Sequence, residues 1–264
     1  MDFRGKTIWI TGASSGMGKA TAIELSKSNL RLIISDRDEK GLLNTMSEIK
    51  KNGSEVRIEV LNMSAQEDIT KTANQILSDG ETIHALYQFA GISQRSLVLE
   101  TPLENDRKIM EVNFFGVITL AKALLPHMIR NGGGQMAVTS SLVGKFGFPY
   151  RSAYSASKHA LHGFFESLLA ENYDQGIRIS MIIGGRIQTN ISKFALTKEG
   201  KEYGKMDDGQ ANGISPQKAA KQIIKGLRKE KYEIPVGAKE LNMLKIKRFL
   251  PGLAFKLARR IKPM

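Results

Sequence analysis

The stretch T-I-W-I-T-G-A-S-S-G-M-G, residues 7–18, is a short apolar run followed at once by a glycine-rich turn. Residues 7–11 predict a buried strand, and the helical pattern that follows places Ala22, Ile23 and Leu25 inward. Such a turn between a strand and a helix lets backbone N–H groups approach a pyrophosphate at the positive end of the helix. Its glycines are spaced G-x-x-x-G-x-G, whereas the commoner spacing is G-x-G-x-x-G. We therefore expect phosphate contacts from Gly12, Ser14, Ser15, Gly16, Met17 and Gly18.

Short apolar runs alternate with helical patterns along most of the chain. The runs are residues 7–11, 30–34, 56–60, 84–89, 136–140, 177–183 and 232–236. Long helical patterns cover 102–129 and 154–172, and a last one begins at Pro216 with Ser215 as its N-cap. Strands that are apolar throughout and alternate with helices predict a parallel sheet covered on both faces. We therefore expect one α/β domain over residues 1–236, a doubly wound, Rossmann-type three-layer sandwich with a seven-stranded parallel sheet.

An acidic residue ends the second predicted strand, as a dinucleotide site requires. The Asp36 carboxylate can accept hydrogen bonds from the adenosine ribose hydroxyls and would repel a 2′-phosphate, which favours NAD. Arg37 follows immediately and could pair with a 2′-phosphate, which favours NADP. We expect NAD(P) as cofactor, with NAD preferred.

A tyrosine and a lysine stand four residues apart within S-L-V-G-K-F-G-F-P-Y-R-S-A-Y-S-A-S-K, residues 141–158. On one helix, Tyr154 and Lys158 share a face about one turn apart. An ammonium near a phenol lowers the pKa of the phenol, which would give a proton donor and acceptor for reversible carbonyl and alcohol chemistry. Ser141 ends the fifth predicted strand and could orient the substrate oxygen. A single Tyr/Lys pair is more often an ordinary surface pair, so the rest of the chain decides its meaning.

The motifs T-G-A-S-S-G-M-G, V-N-F-F-G, S-S-L-V-G and Y-S-A-S-K occur in this order. Over residues 6–236 the sequence closely resembles the short, single-domain branch of the short-chain dehydrogenase/reductase family. The resemblance implies hydride transfer between a nicotinamide and a carbonyl or secondary alcohol. It also implies a catalytic tetrad of Asn113, Ser141, Tyr154 and Lys158.

The resemblance assigns a role to each tetrad residue. Tyr154 would be the general acid and base, and Lys158 would bind the nicotinamide ribose. Ser141 would hydrogen-bond the substrate oxygen, and Asn113 would anchor a water between Lys158 and solvent. The remaining cofactor contacts implied are Asn62, Met63, Ala90, Gly91, Gly185, Ile187 and Thr189, together with Tyr154 and Lys158.

Three positions depart from the family pattern. Gln88-Phe89 precedes Ala90-Gly91 where the family has N-N-A-G, so we expect the usual side-chain brace of the sheet to be lost. Asn62 replaces the usual Asp after the third strand, and its amide oxygen can still accept from the adenine amino group. Gly184-Gly185 replaces P-G, which should loosen the turn that aims Thr189 at the nicotinamide carboxamide.

Two segments do not fit the alternating pattern. Residues 193–213 are polar and contain four glycines, which predicts a mobile lid. Residues 237–264 form a basic amphipathic extension, in which Leu253, Leu257 and Ile261 recur at helical spacing. This extension could pack on its own domain, join subunits or lie on a membrane surface, and protein packing is favoured. Nucleic acid is not expected, because aromatic side chains are scarce among the basic ones.

Composition excludes several classes of site. Without cysteine, the chain has no disulfide, thiolate metal site or thiol nucleophile, and a reducing cytoplasm is the default compartment. The start of the sequence lacks the layout of a signal peptide, and no apolar run approaches a membrane span. His159 does not share the Tyr154/Lys158 face, and no His/Asp/Glu cluster suggests a metal.

The expected partner is a small carbonyl or alcohol, in apolar surroundings formed by Phe146, Phe148, Phe194 and Leu196. We also expect a homo-oligomer, either a dimer or a tetramer, with peripheral membrane contact as the alternative role of the extension. The competing function is a non-catalytic, cofactor-binding regulatory protein on the same fold.

Overall fold

The computed structural model describes residues 1–261 of the chain. Seven parallel strands form one sheet in the order β3-β2-β1-β4-β5-β6-β7. The strands are β1 (Thr7–Thr11), β2 (Arg31–Asp36), β3 (Glu55–Val60), β4 (Ala85–Gln88), β5 (Gly134–Ser141), β6 (Ile177–Gly184) and β7 (Glu233–Val236). The predicted doubly wound parallel sheet is therefore confirmed, with strand ends within one or two residues of the expected positions.

Helices cover both faces of this sheet, because successive strand residues point to opposite sides. They are α1 (Gly16–Leu25), α2 (Glu39–Lys50), α3 (Gln66–Ser78), α4 (Leu103–Met110), α5 (Gly116–Arg130), α6 (Ser152–Asn172), α7 (Asp208–Ala211), α8 (Pro216–Arg228), α9 (Asn242–Phe249) and α10 (Pro251–Ala258). In β1, Ile8 and Ile10 pack with α1, α2 and α8, whereas Trp9 packs with α3, α5 and α6. The two layers of helices enclose two separate apolar cores.

The strand order reverses between β1 and β4, which are neighbours in the sheet although β2 and β3 come between them in sequence. In doubly wound sheets, a crevice opens at the carboxyl ends of the strands at this point. The glycine-rich turn after β1 and the Ala90-Gly91 segment after β4 both lie there. The topology thus brings the predicted cofactor contacts to one edge of the sheet.

The long helical pattern predicted over 102–129 is interrupted by one wide turn. Between α4 and α5, residues Glu111–Phe115 form a π-helical segment, and the N–H of Gly116 donates to the carbonyl of Glu111. Length and mean hydropathy alone would allow Leu103–Arg130 to cross a membrane. Val117 and Leu120 are nevertheless buried in the core, as in the central helix of a globular protein. The π-helical segment turns Asn113 into the interior.

Two expectations about the C-terminal half concern the N-cap of α8 and the packed face of α10. Ser215 caps α8, and its hydroxyl accepts from the N–H of Lys218 at 3.2 Å. The buried residues of α10 are Ala254 and Ala258, whereas Leu257 and Ile261 are half-buried and Leu253 is 43% exposed, so the predicted stripe is only partly packed. A helix that lies close against its domain can fit only small side chains at the contact. Lys262, the last basic residue of the extension, lies outside the described residues.

Candidate active site

The turn after β1 is shaped by close backbone approaches. Gly12 and Gly16 have φ angles of 70° and 56°, which favour glycine. A Cβ on Gly12 would lie 2.4 Å from the backbone nitrogen of Ala90, and one on Gly18 would lie 2.1 Å from the carbonyl oxygen of Gly12. The N-cap of α1, Ser15, makes no side-chain capping hydrogen bond. The N–H groups of the first turn of α1 therefore remain available to an anion.

A cleft of about 470 Å³ runs along this turn at the carboxyl ends of the central strands. Most of the predicted cofactor contacts line it: Gly12, Ser14, Ser15, Gly16, Met17, Gly18, Asp36, Arg37, Asn62, Met63, Ala90, Gly91 and Thr189. Ile92, Val112 and Phe194 add an apolar part of the wall. The size and the mixed lining suit a small organic ligand.

Asp36 is held in place by three hydrogen bonds. Ser14 donates to Oδ2 from its hydroxyl at 2.8 Å and from its backbone N–H at 3.3 Å. The backbone N–H of Asp38 donates to Oδ1 at 3.2 Å. The amide oxygen of Asn62, expected to face an adenine, accepts from the N–H and the hydroxyl of Ser64. The carboxylate is therefore fixed at the cleft, while the neighbouring Arg37 is exposed.

Ser141, Tyr154 and Lys158 come together where β5 ends against α6. Tyr154 and Lys158 are buried, and the Lys158 ammonium lies 5.7 Å from the centroid of the Tyr154 ring. The Lys158 Nζ donates to the carbonyl of Thr139 at 2.7 Å. The hydroxyl of Ser141 donates to the carbonyl of Gly184 at 3.3 Å. The structure thus gathers three of the four tetrad positions at one strand end.

The protonation of Tyr154 differs from the expectation. Burial raises the pKa of its hydroxyl, and the groups that oppose this rise are Arg151, the Ser141 hydroxyl and Arg95. The expected net lowering is wrong, because burial outweighs the nearby cations, and the cations that lower this pKa are Arg151 and Arg95 rather than Lys158. Burial also lowers the pKa of Lys158 to about 8. Desolvation disfavours the charged form of both groups and dominates both shifts.

Asn113 is fully buried and joins three segments. Its Oδ1 accepts from the N–H of Ile92 at 2.8 Å, and its Nδ2 donates to the carbonyl of Ile92 at 2.9 Å. The same Nδ2 donates to the hydroxyl of Ser157 at 3.1 Å. Both amide protons are therefore used, and the side chain braces the β4 loop against α6. A water anchored by this residue would have to bind elsewhere than these protons, so that role stays a prediction.

Most of the chain matches a known protein family. A sequence profile of the family described as "short chain dehydrogenase" matches residues 6–200. The chain belongs to the short-chain dehydrogenase family. That family consists of oxidoreductases, which agrees with the tyrosine and lysine beside a dinucleotide-type cleft.

Curated relatives of this family member include dehydrogenase/reductase SDR family proteins of animals. The chain is 37% identical over 237 residues to member 7B of Xenopus tropicalis, covering 86% of this chain and 75% of the relative. It is 35% identical over 264 residues to member 7B of Bos taurus, with coverages of 96% and 80%. A short-chain dehydrogenase/reductase from Burkholderia phymatum, solved in complex with NAD, superposes with a TM-score of 0.82 at 21% identity, with coverages of 100% and 98%. At that identity, the likeness shows a shared fold.

Two departures from the family pattern have structural consequences. Gln88 donates from Nε2 to the carbonyl of Val117 in α5 at 3.1 Å, and its buried Oε1 has no hydrogen-bond partner among the described residues. The amide therefore ties β4 to a helix, and the loss of the usual side-chain brace of the sheet stays a prediction. At Gly185, a Cβ would lie 2.3 Å from Oε1 of Glu240, so this glycine makes room for the C-terminal segment. Four predicted cofactor contacts lie outside the wall of the cleft, whereas Thr189 belongs to it; the four are Tyr154, Lys158, Gly185 and Ile187.

An ion cluster beside Tyr154 was not found by sequence reasoning. Asp207 pairs with Arg95, whose Nε lies 3.1 Å from Oδ1, and with Arg151, whose Nη2 lies 2.9 Å from Oδ2. Arg95 and Asp207 are buried, and the exposed fraction of the Arg151 side chain is only 14%. Two guanidinium groups share one carboxylate, which leaves an excess positive charge near the phenol. No local motif marks such a cluster, since Arg95 and Asp207 are 112 residues apart.

The same cluster ties down the segment predicted to be a mobile lid. Asp207 belongs to residues 193–213, and its N–H donates to the hydroxyl of Ser192. At a second point, Leu196 exchanges backbone hydrogen bonds with Ser93 and Arg95. The segment therefore covers one side of the site through a buried ion pair and a short backbone pairing. Its mobility stays a prediction.

The histidines on α6 have structural partners. His162 lies 2.8 Å from the Ser140 hydroxyl through Nε2 and 3.2 Å from the Lys145 ammonium through Nδ1. Burial and Lys145 lower the pKa of His162 to about 4. The neutral ring therefore accepts from Lys145 and donates to Ser140. His159 Nδ1 lies against the carbonyl of Ser155, away from the tetrad.

Proposed function

We propose that the chain transfers a hydride between a nicotinamide dinucleotide and a carbonyl or secondary alcohol. The observation that carries this proposal is the burial of Tyr154 and Lys158 on one helix beside Ser141, with the Lys158 ammonium close to Gly91 in the wall of the cleft. Membership of a dehydrogenase family supports the reaction class. An apolar substrate agrees with Ile92, Val112 and Phe194, the apolar part of the cleft wall.

The residues of the cleft fit a dinucleotide. The uncapped first turn of α1 can bind the pyrophosphate, and Gly12 and Gly18 leave no space for a side chain in the turn. Asp36 can bind the adenosine ribose, and Lys158 the second ribose. When bound, the nicotinamide would supply or accept the hydride. Thr189, at the cleft wall, would contact its carboxamide.

Proton transfer is the task of the chain's own residues. During reduction, the Tyr154 hydroxyl donates a proton to the substrate oxygen, and during oxidation the phenolate takes it back. The Ser141 hydroxyl orients that oxygen. A raised pKa keeps Tyr154 protonated at neutral pH, which suits the acid role in carbonyl reduction. Arg151 and Arg95 limit this rise and so keep the reverse reaction accessible.

We propose NAD as the preferred cofactor. Asp36 is held at the cleft by Ser14 and Asp38, so its carboxylate would lie against a 2′-phosphate and repel it. The Burkholderia phymatum protein, which shares this fold, was solved in complex with NAD, and this agrees with the preference. Arg37 also lines the cleft, and strong selectivity for NADP would show that Arg37 outweighs Asp36.

A turnover assay tests the proposed function. Purified protein is mixed with NADH or NADPH and a panel of ketones and aldehydes, and the absorbance of the reduced nicotinamide is followed. Tyr154→Phe should abolish turnover and keep dinucleotide affinity within about threefold, because only the proton donor is lost. A regulatory, non-catalytic protein would bind dinucleotide and turn over none of the panel. Substantial turnover by Tyr154→Phe would overturn the assigned role of Tyr154.

A further inference from the structure

The junction of α9 and α10 exposes a group of large apolar side chains. Phe249, Leu250, Leu253 and Phe255 are 72%, 57%, 43% and 54% exposed, and we call these four residues the C-terminal patch. They cluster within seven residues of sequence, whereas single exposed apolar residues are ordinary on protein surfaces. Several large apolar side chains exposed on one short segment point to a contact with a partner or a membrane.

Positive charge surrounds this patch. Residues 239–261 contain seven basic residues and one acid, Glu240. The Glu240 carboxylate accepts from the N–H groups of Arg186 and Ala238, so it is bound to the body of the domain. The cations lie among the apolar rings, with the Lys247 ammonium 4.1 Å from the centroid of Phe255. The remaining exposed basic residues of α9, α10 and the turn after them are Lys245, Arg248, Lys256, Arg259 and Arg260.

The C-terminal segment is attached to the domain through its other face. Ala258 packs with Leu142, Phe146 and Ile183, and Met243 and Leu244 pack against the same cluster. The patch is therefore not needed to hold α9 and α10 in place.

We propose that the C-terminal patch docks on a bilayer that contains anionic phospholipid. Such an interface accepts aromatic and leucine side chains among the acyl chains and basic side chains at the headgroups. Each Lys or Arg near an anionic surface strengthens binding about fivefold. Self-association through this patch would bring like charges together, on a chain whose net charge is +13. The inference concerns a surface and does not depend on the proposed reaction.

Vesicle flotation of the full chain tests the proposal. Phosphatidylcholine vesicles with and without phosphatidylglycerol are compared at low and high salt. We expect binding only to the anionic vesicles, falling as salt screens the charges. A variant with Phe249, Leu250, Leu253 and Phe255 all changed to Ser should lose at least about tenfold in affinity, because the apolar contribution is removed. No binding of the full chain to anionic vesicles would overturn the proposal.

A charge-matched pair of variants separates the patch from net charge. Changing Lys245, Arg248 and Arg259 to Gln should weaken vesicle binding by at least about tenfold. Changing Lys40, Lys50 and Lys51 to Gln, which removes the same charge from the exposed side of α2 and its end, should change it less than about threefold. Equal losses in both variants would overturn the proposal, since attraction would then depend on net charge alone.

Two further measurements keep the test decisive. Trp9 is buried, so a Leu250→Trp variant adds a reporter at the patch whose fluorescence should shift to the blue on anionic vesicles. Sedimentation velocity compares the oligomeric state of the full chain and the Ser variant. If the Ser variant changes the oligomer and the full chain ignores vesicles, the patch is a subunit interface and the proposal is wrong. Circular dichroism confirms that each variant is folded.

Discussion

Replacing Arg151 by Gln should leave stability nearly unchanged while it shifts the pH dependence of catalysis. Burial, followed by the charge of Arg95, lowers the pKa of Arg151 from 12.5 to about 10. That shift means that holding this cation in place costs about 3 kcal/mol. The shift already includes the attraction of Arg151 to Asp207, and Asp207 keeps its pair with Arg95 in the variant. We therefore expect Tm to stay within a few degrees of the wild type or to rise.

Replacing Arg151 should nevertheless change the pH dependence of the reaction. At an effective dielectric constant of about 20, a nearby unit charge changes a proton equilibrium by about 1 to 2 kcal/mol, or about one pKa unit. Without Arg151, the pKa of Tyr154 rises further, because one of the groups that lower it is gone. Alcohol oxidation needs the phenolate, so its kcat/KM should reach half of its plateau at higher pH, by up to about one unit, because Arg151 itself begins to lose its charge near pH 10.

Asp207→Asn provides the opposite perturbation. It removes a negative charge from the same cluster, so the pKa of Tyr154 should fall and the profile should move to lower pH. Its Tm should also fall, since two buried guanidinium groups lose their counter-charge, a loss of about 3 to 5 kcal/mol. The assay is the pH profile of kcat/KM for oxidation, with melting curves, and Arg130→Gln on the exposed end of α5 as control. Profiles that stay unchanged, or that move in the same direction in both variants, would refute the electrostatic role of Arg151.

Three other variants test the glycine-rich turn, the choice of cofactor and the sensitivity to acid. Gly18→Ala should lower dinucleotide affinity by at least about tenfold and should also lower Tm, because its Cβ would lie 2.1 Å from the carbonyl oxygen of Gly12. The control is Gly163→Ala, which has open space at its Cβ and should change neither quantity. Asp36→Ala should erase or reverse the preference for NAD in kcat/KM, and an unchanged preference would show that its carboxylate does not face the 2′ position. The pKa of His162 is lowered from 6.5 to about 4, so its contribution to stability is complete above pH 6.5 and is lost as pH falls toward 4. In His162→Gln, Tm should therefore change less with pH in that window than it does in the wild type. If Tm falls equally steeply in both proteins, other groups cause the acid sensitivity.

The tetrad shows how far a local pattern reaches. The spacing of Tyr154 and Lys158 predicted a shared helix face, and both side chains are buried on α6. The direction of the Tyr154 pKa was wrong, because burial raises it by more than the nearby cations Arg151 and Arg95 lower it. Gln88 gives a similar lesson. The sequence shows that Gln88 carries a hydrogen-bonding amide, but only the packing of β4 against α5 shows that this amide reaches Val117.

The order of strands and helices, the glycine-rich turn and the acid at the end of β2 were determined by the sequence alone. These features depend on backbone geometry and on periodicities of two and 3.6 residues, which are readable within a short window. Tertiary structure alone decided the Arg95–Asp207–Arg151 cluster and the face of α10 that packs through Ala254 and Ala258. Charge clusters and packed faces depend on which distant segments meet, and on how closely they approach. Local periodicity carries no information on either.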